Sequence, residues 1–277
     1  NLGYEVAIFD GSPRLRIEEY SYFFQNVEIL DLSARIGRYD IEKEVMPEVA
    51  YSEIKSGYDD YDYEVINGRG EYNTESTWTT VINTDVAYDI KSPIRADSTA
   101  ILEKLSQELT TEDTKEDNEL FIIKSQRNNP DDWKAEKQEN ISVQDGSSLF
   151  GSDSLNLYYS PIRNLVRHGN RIKGAFLKYL SSVLRFQKSN KNQTLKTSGE
   201  GNTYTENQDI TVNDLTNPIY KPIKHIVTCK FTNADLDAIL ANPKGYIKLT
   251  DSINGYLLSL TKKNNEDRAT IELIEKV

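Results

Sequence analysis

The sequence predicts a β-rich α+β protein with a few helices. Three observations support this. Short stretches rich in Tyr, Thr, Trp and Val recur between turn residues, among them 71–83 and 86–90, and such residues suit a pleated, half-buried surface. Helical periodicity is confined to 97–109, 160–187 and 233–240. Those segments lie between strand-rich runs in irregular order, which argues against an alternating, doubly wound sheet.

In chain order, 4–9 (YEVAIF) reads as a strand and Asp10-Gly11-Ser12-Pro13 as a turn. Residues 14–24 alternate imperfectly between charged and apolar, as an exposed or interface strand does, while 26–36 fits strand and short helix equally poorly. Residues 50–55 form a further strand after Pro47. The tract 57–64 sets four carboxylates among three tyrosines; without EF-hand spacing it reads as an exposed loop, not a calcium site. Asn67-Gly68 is a hairpin signal. Glu71 and Glu75 resemble an acid/base pair, but no other catalytic residue type gathers near them.

Asp97-Ser98-Thr99 caps a helix through Leu109 whose apolar face is Ile101, Leu102, Leu105 and Leu109. Residues 110–119 are a polar loop, 120–124 a buried strand, and 128–138, with Asn129-Pro130, a boundary. The serines of 145–153 lack the G-x-S-x-G elbow, and the two histidines support no triad by spacing.

The segment Ser160–Gln187 organises the second half. Ser160 occupies an N-cap position and Pro161 the first helical position. Ile162, Leu165, Val166, Ile172, Phe176, Leu180, Val183 and Leu184 recur at helical spacing, with Gly169 and Gly174 as points of bending or interruption. Arg163, Arg167, Arg171 and Lys178 fall on another face, and no acidic residue occurs between Ser160 and Gly199. This cationic face is the expected assembly interface. Residues 188–207 read as a long polar loop. The strand at 226–231, a helix from Thr232 to Leu240, and strands at 246–250, 256–260 and 269–274 then make a C-terminal module, with Asn254-Gly255 and Asn264-Asn265 at its turns.

Net charge is -11. Residues 1–150 hold 15 Lys and Arg against 32 Asp and Glu, whereas 151–277 hold 18 against 12. The expected division is an acidic β-rich domain with one helix at 1–140, then a basic long-helix segment and the C-terminal module at 141–277. Such polarity suits docking of one half against a neighbouring protomer. Phosphate contact through the lysines of 188–207 is the nucleic-acid reading, but no aromatics interleave there for base stacking.

Hydrophobic content of 37% with 17 tyrosines and a lone methionine, Met46, suits a protein with much surface, completed by partner subunits. No apolar run approaches the roughly 20 residues of a membrane span, so no spanning segment is expected. The start at Asn-Leu-Gly, not Met, points to a processed product or a portion of a longer polypeptide. The single cysteine, Cys229, excludes an intrachain disulfide and reads as a small buried hydrophobe. With His225 and the distant His168 it makes no zinc pattern, so neither metal nor cofactor is expected.

Five phrases carry a resemblance: Ser52-Glu53-Ile54-Lys55-Ser56-Gly57-Tyr58, Asn67-Gly68-Arg69-Gly70-Glu71-Tyr72-Asn73, Ser92-Pro93-Ile94-Arg95-Ala96-Asp97, Ser160-Pro161-Ile162-Arg163-Asn164-Leu165-Val166-Arg167-His168-Gly169 and Ala241-Asn242-Pro243-Lys244-Gly245-Tyr246-Ile247. In order and spread they resemble structural proteins of tailed bacteriophages, especially those of gut Bacteroidetes-type hosts. The resemblance implies a non-enzymatic tail component: a baseplate hub or tail-tip protein of α+β class, built of β-rich small barrel-like or sandwich domains, each with one or two helices, and assembled as a ring with copies of itself and other tail proteins. It places the chain in the virion, assembled in the host cytoplasm. An acidic face lining a tail channel would repel passing DNA in transient contact. The alternative is a glycan- or receptor-binding module of the tail, using Tyr58, Tyr61, Tyr63 and Trp78 as exposed aromatics. A glycosidase reading rests on Glu71 and Glu75 alone.

Overall fold

The computed structural model describes residues 2–9, 12–37, 40–58, 75–92, 94–95, 120–121, 125–129, 132–135, 142–144, 161–189, 196–199, 202–262 and 267–277. The architecture is α+β and mostly sheet. Strands β1 (Leu2–Phe9), β2 (Ser12–Glu19), β3 (Glu28–Asp31), β4 (Ile41–Val45), β5 (Glu53–Tyr58), β6 (Ser76–Thr79) and β7 (Ala87–Ser92) come first. Shorter strands follow: β8 (Ile94–Arg95), β9 (Leu120–Phe121), β10 (Ser125–Asn129), β11 (Asp132–Ala135) and β12 (Ser142–Gln144). Helices α1 (Pro161–Arg167) and α2 (Gly169–Ile172) precede β13 (Val183–Ser189), β14 (Lys196–Gly199), β15 (Asn202–Thr205) and β16 (Ile210–Thr211). The chain ends with β17 (Tyr220–Lys230), α3 (Asn233–Ala241), β18 (Tyr246–Thr250), β19 (Ile253–Lys262) and β20 (Arg268–Lys276).

These elements form two compact units that interleave in sequence. The first comprises Asn1–Ala50, His168–Leu180 and Leu215–Val277; the second comprises Tyr51–Arg167 and Ser181–Asp214. The boundary expected at 140/141 falls inside the second unit. The charge division changes with it: the first unit holds 17 Lys and Arg against 17 Asp and Glu, and the second 16 against 27. The opposed acidic and basic halves of the sequence are thus not opposed halves of the fold.

In the first unit a six-stranded sheet runs in the order β3-β18-β19-β20-β17-β4. Its pairs are antiparallel except β3 with β18. Alternation builds its core. Val227 and Cys229 of β17, Ile247 and Leu249 of β18, and Ala269, Ile271 and Leu273 of β20 bury together with Leu32, Ile36, Phe231 and Ile239 of α3. A second cluster gathers Tyr220, Tyr256 and Ile274 with Tyr20, Phe24 and Met46. Helix α3 opens on a capping box: the Thr232 hydroxyl accepts from the Asp235 N–H, and the Asp235 carboxylate accepts from the Thr232 N–H.

The C-terminal module has the expected order of strand, helix and three strands; its expected turn at Asn264-Asn265 lies outside the described residues, and its other turn is corrected. Asn254-Gly255 is not the turn: both lie within β19, where Gly255 pairs with Ile247 and Glu275. A Cβ there would come 2.7 Å from Leu273 Cβ and 2.8 Å from the Ile274 oxygen, so the glycine answers to packing.

The second unit holds the five-stranded sheet β16-β13-β6-β5-β7, with β5 and β7 parallel. Ile54, Trp78, Leu165 and Leu184 are fully enclosed in it. The Ser56 hydroxyl ties β5 to the start of α1 by donating to the Pro161 carbonyl at 2.8 Å. Residues 188–207 are not wholly loop: β13 runs to Ser189, and β14 and β15 pair as a hairpin beside β12. Among the described residues neither large sheet closes into a barrel. The helix expected at 97–109 and the turn at Asn67-Gly68 lie outside the described residues.

Ser160–Gln187 is not one helix. It breaks at His168, and after α2 it tightens into a 3-10 turn at Lys173–Phe176 before Val183 and Leu184 enter β13. Gly174 sits against backbone: a Cβ would lie 1.9 Å from the Tyr220 carbonyl oxygen. Gly174→Ala is expected to destabilise the protein by about 1–3 kcal/mol, the usual range for forcing volume into a packed site. Urea unfolding of the two proteins measures it.

Candidate functional site

The four basic residues expected on one face do not share one. Arg163 is 1% exposed, with its guanidinium 5.1 Å from the Tyr204 ring centroid. Beside it the buried Glu206 carboxylate accepts the Ile162 N–H at 3.2 Å and satisfies a donor of the first turn of α1. Arg163 therefore supports the interior of the second unit and is not an assembly contact. Arg171, in the first unit, lies 3.5 Å over the Tyr20 ring and is half-buried. Arg167 is half-buried and only Lys178 is exposed. A helical projection put all four on one side, and the break at His168 removes the period on which it rests.

Trp78 is likewise not an exposed aromatic. It lies on the inner strand β6, donates Nε1–H to the Gln208 carbonyl at 2.9 Å, and is 0% exposed. Tyr58 closes β5, and its side chain, like Tyr61 and Tyr63, lies outside the described residues. So does Glu71, while Glu75 pairs with Lys91 at 3.3 Å.

Sequence reasoning missed two polar clusters of the first unit. In one, the buried His225 Nε2 lies 2.9 Å from Glu275 Oε2, and Lys221 pairs with the other oxygen of that carboxylate. Burial raises the Glu275 pKa, but the hydrogen bonds from Lys221 and His225 outweigh it and hold the carboxyl below its ordinary value. Between β17 and β20 the two partners satisfy the Glu275 carboxylate, while the buried Nδ1 of His225 has no hydrogen-bond partner among the described residues. In the other, Arg35 grips Asp235 through two hydrogen bonds of 2.6 and 3.1 Å. That grip, against opposing burial and with help from Thr232, lowers the Asp235 carboxyl to about 2. Nearby, burial pushes the Cys229 thiol up, which suits an inert core residue.

The feature that points outward is the ribbon β1–β2. It pairs without a bulge from Leu2↔Glu19 to Phe9↔Ser12, and among the described residues no third strand joins it. Its orientation inverts the usual amphipathic rule. Arg16 and Glu18 are half-buried, bonded to each other at 2.8 Å, with Arg16 lying 4.8 Å over the Tyr22 ring. On β1, Glu5 accepts from Lys244 at 2.8 Å, and that ammonium also sits 3.9 Å over Tyr22. Leu15 and Ile17, on the opposite face of β2, are 64% and 59% exposed. Charges hold the ribbon to Tyr22 and Lys244, while Leu15 and Ile17 meet solvent. The period-two alternation at 14–19 was legible in the sequence; which face turns inward was not.

Among the described residues no three His, Cys, Asp or Glu side chains gather as metal ligands, and no helix is long and apolar enough to cross a membrane. Comparison with protein-family models, curated proteins and solved structures finds no match.

Arg163→Glu is expected to unfold the second unit, by the 3–5 kcal/mol typical of an uncompensated buried charge, whereas Lys178→Glu stays within about 0.5 kcal/mol. Denaturant titration of both variants separates a core arginine from a surface lysine. Asp235 supplies a pH signature. Its folded pKa is depressed from 3.8 to about 2, so its stabilisation is present above pH 4 and lost as pH falls towards 2. With the Arg35 side chain 33% exposed to solvent, its size is on the order of 1–2 kcal/mol. The stability gap between wild type and Asp235→Asn, followed by urea unfolding from pH 6 to pH 2, is expected to shrink across that window.

Proposed function

We propose that this chain is a structural component of a bacteriophage tail, in a hub, baseplate or tail-tip ring, that acts by assembling with copies of itself and with other tail proteins. The observation that carries the assembly reading is the inverted ribbon, whose Leu15 and Ile17 stand in solvent while Arg16 and Glu18 turn inward. The five tail-like phrases support the tail setting, and with it a virion location after assembly in the host cytoplasm. The excess of acidic residues in the second unit suits a surface past which DNA slides without sticking. In this reading the chain turns over no substrate. The glycan-binding alternative has no observation in its favour, since Trp78, the one member of its aromatic set with a described side chain, is in the core.

Native mass measurement at micromolar concentration tests the proposal. A fixed stoichiometry above one is expected, alone or with neighbouring tail proteins. Monomer under both conditions overturns it.

A further inference from the structure

We infer that the outer edge of β2 pairs antiparallel with the same edge of a second copy of this chain, about a two-fold axis through Ile17. The inference rests on the assembly reading and names its surface and partner. An unpaired strand edge is a template for another strand, and a two-stranded ribbon is marginal in water until a third strand or a packed face supports it. Strand β2 has eight residues in unbroken register, with its proline, Pro13, near one end. It carries none of the bulges or central prolines that natural edges use to repel partners.

The charge pattern selects the occupant. Along β2, Arg14 and Arg16 come first and Glu18 and Glu19 last. A parallel copy would set like charges side by side, whereas an antiparallel copy sets basic against acidic. The register follows from the faces. Opposed residues must have matching parity, or the apolar face of one ribbon meets the polar face of the other. Centring on Arg16 or on Glu18 sets like charges directly opposite, and centring on Leu15 sets Arg14 against Arg16. Centring on Ile17 sets Arg16 against Glu18 twice and Ile17 against its own copy. Centring on Arg16 also joins Arg14 to Glu18 and sets Leu15 against Ile17, but it opposes Arg16 to its own copy; of these four registers the one centred on Ile17 alone sets no like charges opposite, with Leu15 facing Glu19 on the same face. Residue i then meets j and j meets i, as an isologous contact requires.

Cysteine cross-linking of the full chain tests this, since the native Cys229 is buried. Facing residues of an antiparallel pair have Cα atoms about 4.5–5.5 Å apart, within disulfide reach. In this register the two copies of Leu15 are about 14 Å apart. Mild oxidation of Ile17→Cys is expected to give a disulfide dimer, and Leu15→Cys is expected to remain largely unlinked. Equal cross-linking at both positions, or none at Ile17→Cys in a chain that still forms fixed oligomers, overturns this inference and leaves the assembly reading standing. A wild-type chain that is monomeric under all conditions overturns both.

Discussion

The first unit depends on β17 lying between a strand from its own end of the chain and one from the other. Along one edge β17 pairs with β20, from His225↔Leu273 to Lys230↔Arg268. Along the other it takes β4, from Ile223↔Val45 to Val227↔Ile41. The far side of the sheet repeats the arrangement, where β3 joins β18 in parallel and the Tyr246 and Leu32 N–H groups donate to Val27 and Lys248 at 2.8 Å. The N-terminal 50 residues thus supply both outer strands of a sheet whose middle belongs to the C-terminus. The Arg35–Asp235 pair bridges 200 positions to fasten that closure at the start of α3. Loop closure over such separations grows only logarithmically in cost, about 0.6 kcal/mol per doubling, so ladder bonds and a shared core suffice to hold it.

That arrangement explains what was legible in the sequence. The C-terminal module is local: β18, β19 and β20 pair with sequence neighbours, β18 and the first six residues of β20 alternate regularly, and Thr232-Asn233-Ala234-Asp235 announces the cap of α3. The N-terminal strands are different. Residues 28–31 and 41–45 are largely exposed on edges and carry weak alternation, because half their environment arrives from residues two hundred positions away. The ambiguity at 26–36 is physical, since that stretch holds both β3 and a 3-10 turn at Ser33–Arg35.

The basic segment shows how a correct pattern yields a wrong surface. The apolar period over 160–187 is real, and Ile162, Leu165, Ile172, Phe176 and Leu184 are all buried. They are buried by a helix, a second short helix, a 3-10 turn and a strand in succession. Arg163 lies over Tyr204 from within α1 itself, and the changes of period after His168 redirect later side chains, so that Lys173 donates to the buried Leu215 carbonyl at 3.0 Å. The same holds for charge at a larger scale: halves that differ by sign in sequence interleave into one neutral unit and one acidic unit.

The ribbon β1–β2 shows the reverse case, a local pattern whose facing is set by residues distant in sequence. Turned over, it would shield Leu15 and Ile17 and gain roughly 1.5–3 kcal/mol for each side chain buried. It is held the other way by specific contacts: Lys244 to Glu5, and Arg16 and Lys244 over Tyr22. Burial draws the Lys244 ammonium down, yet hydrogen bonds with Glu5 and the Tyr22 hydroxyl raise it above its ordinary value, so the anchor stays charged. Fixing its polar face through a charged anchor leaves Leu15 and Ile17 in solvent, and the proposed assembly draws on that arrangement.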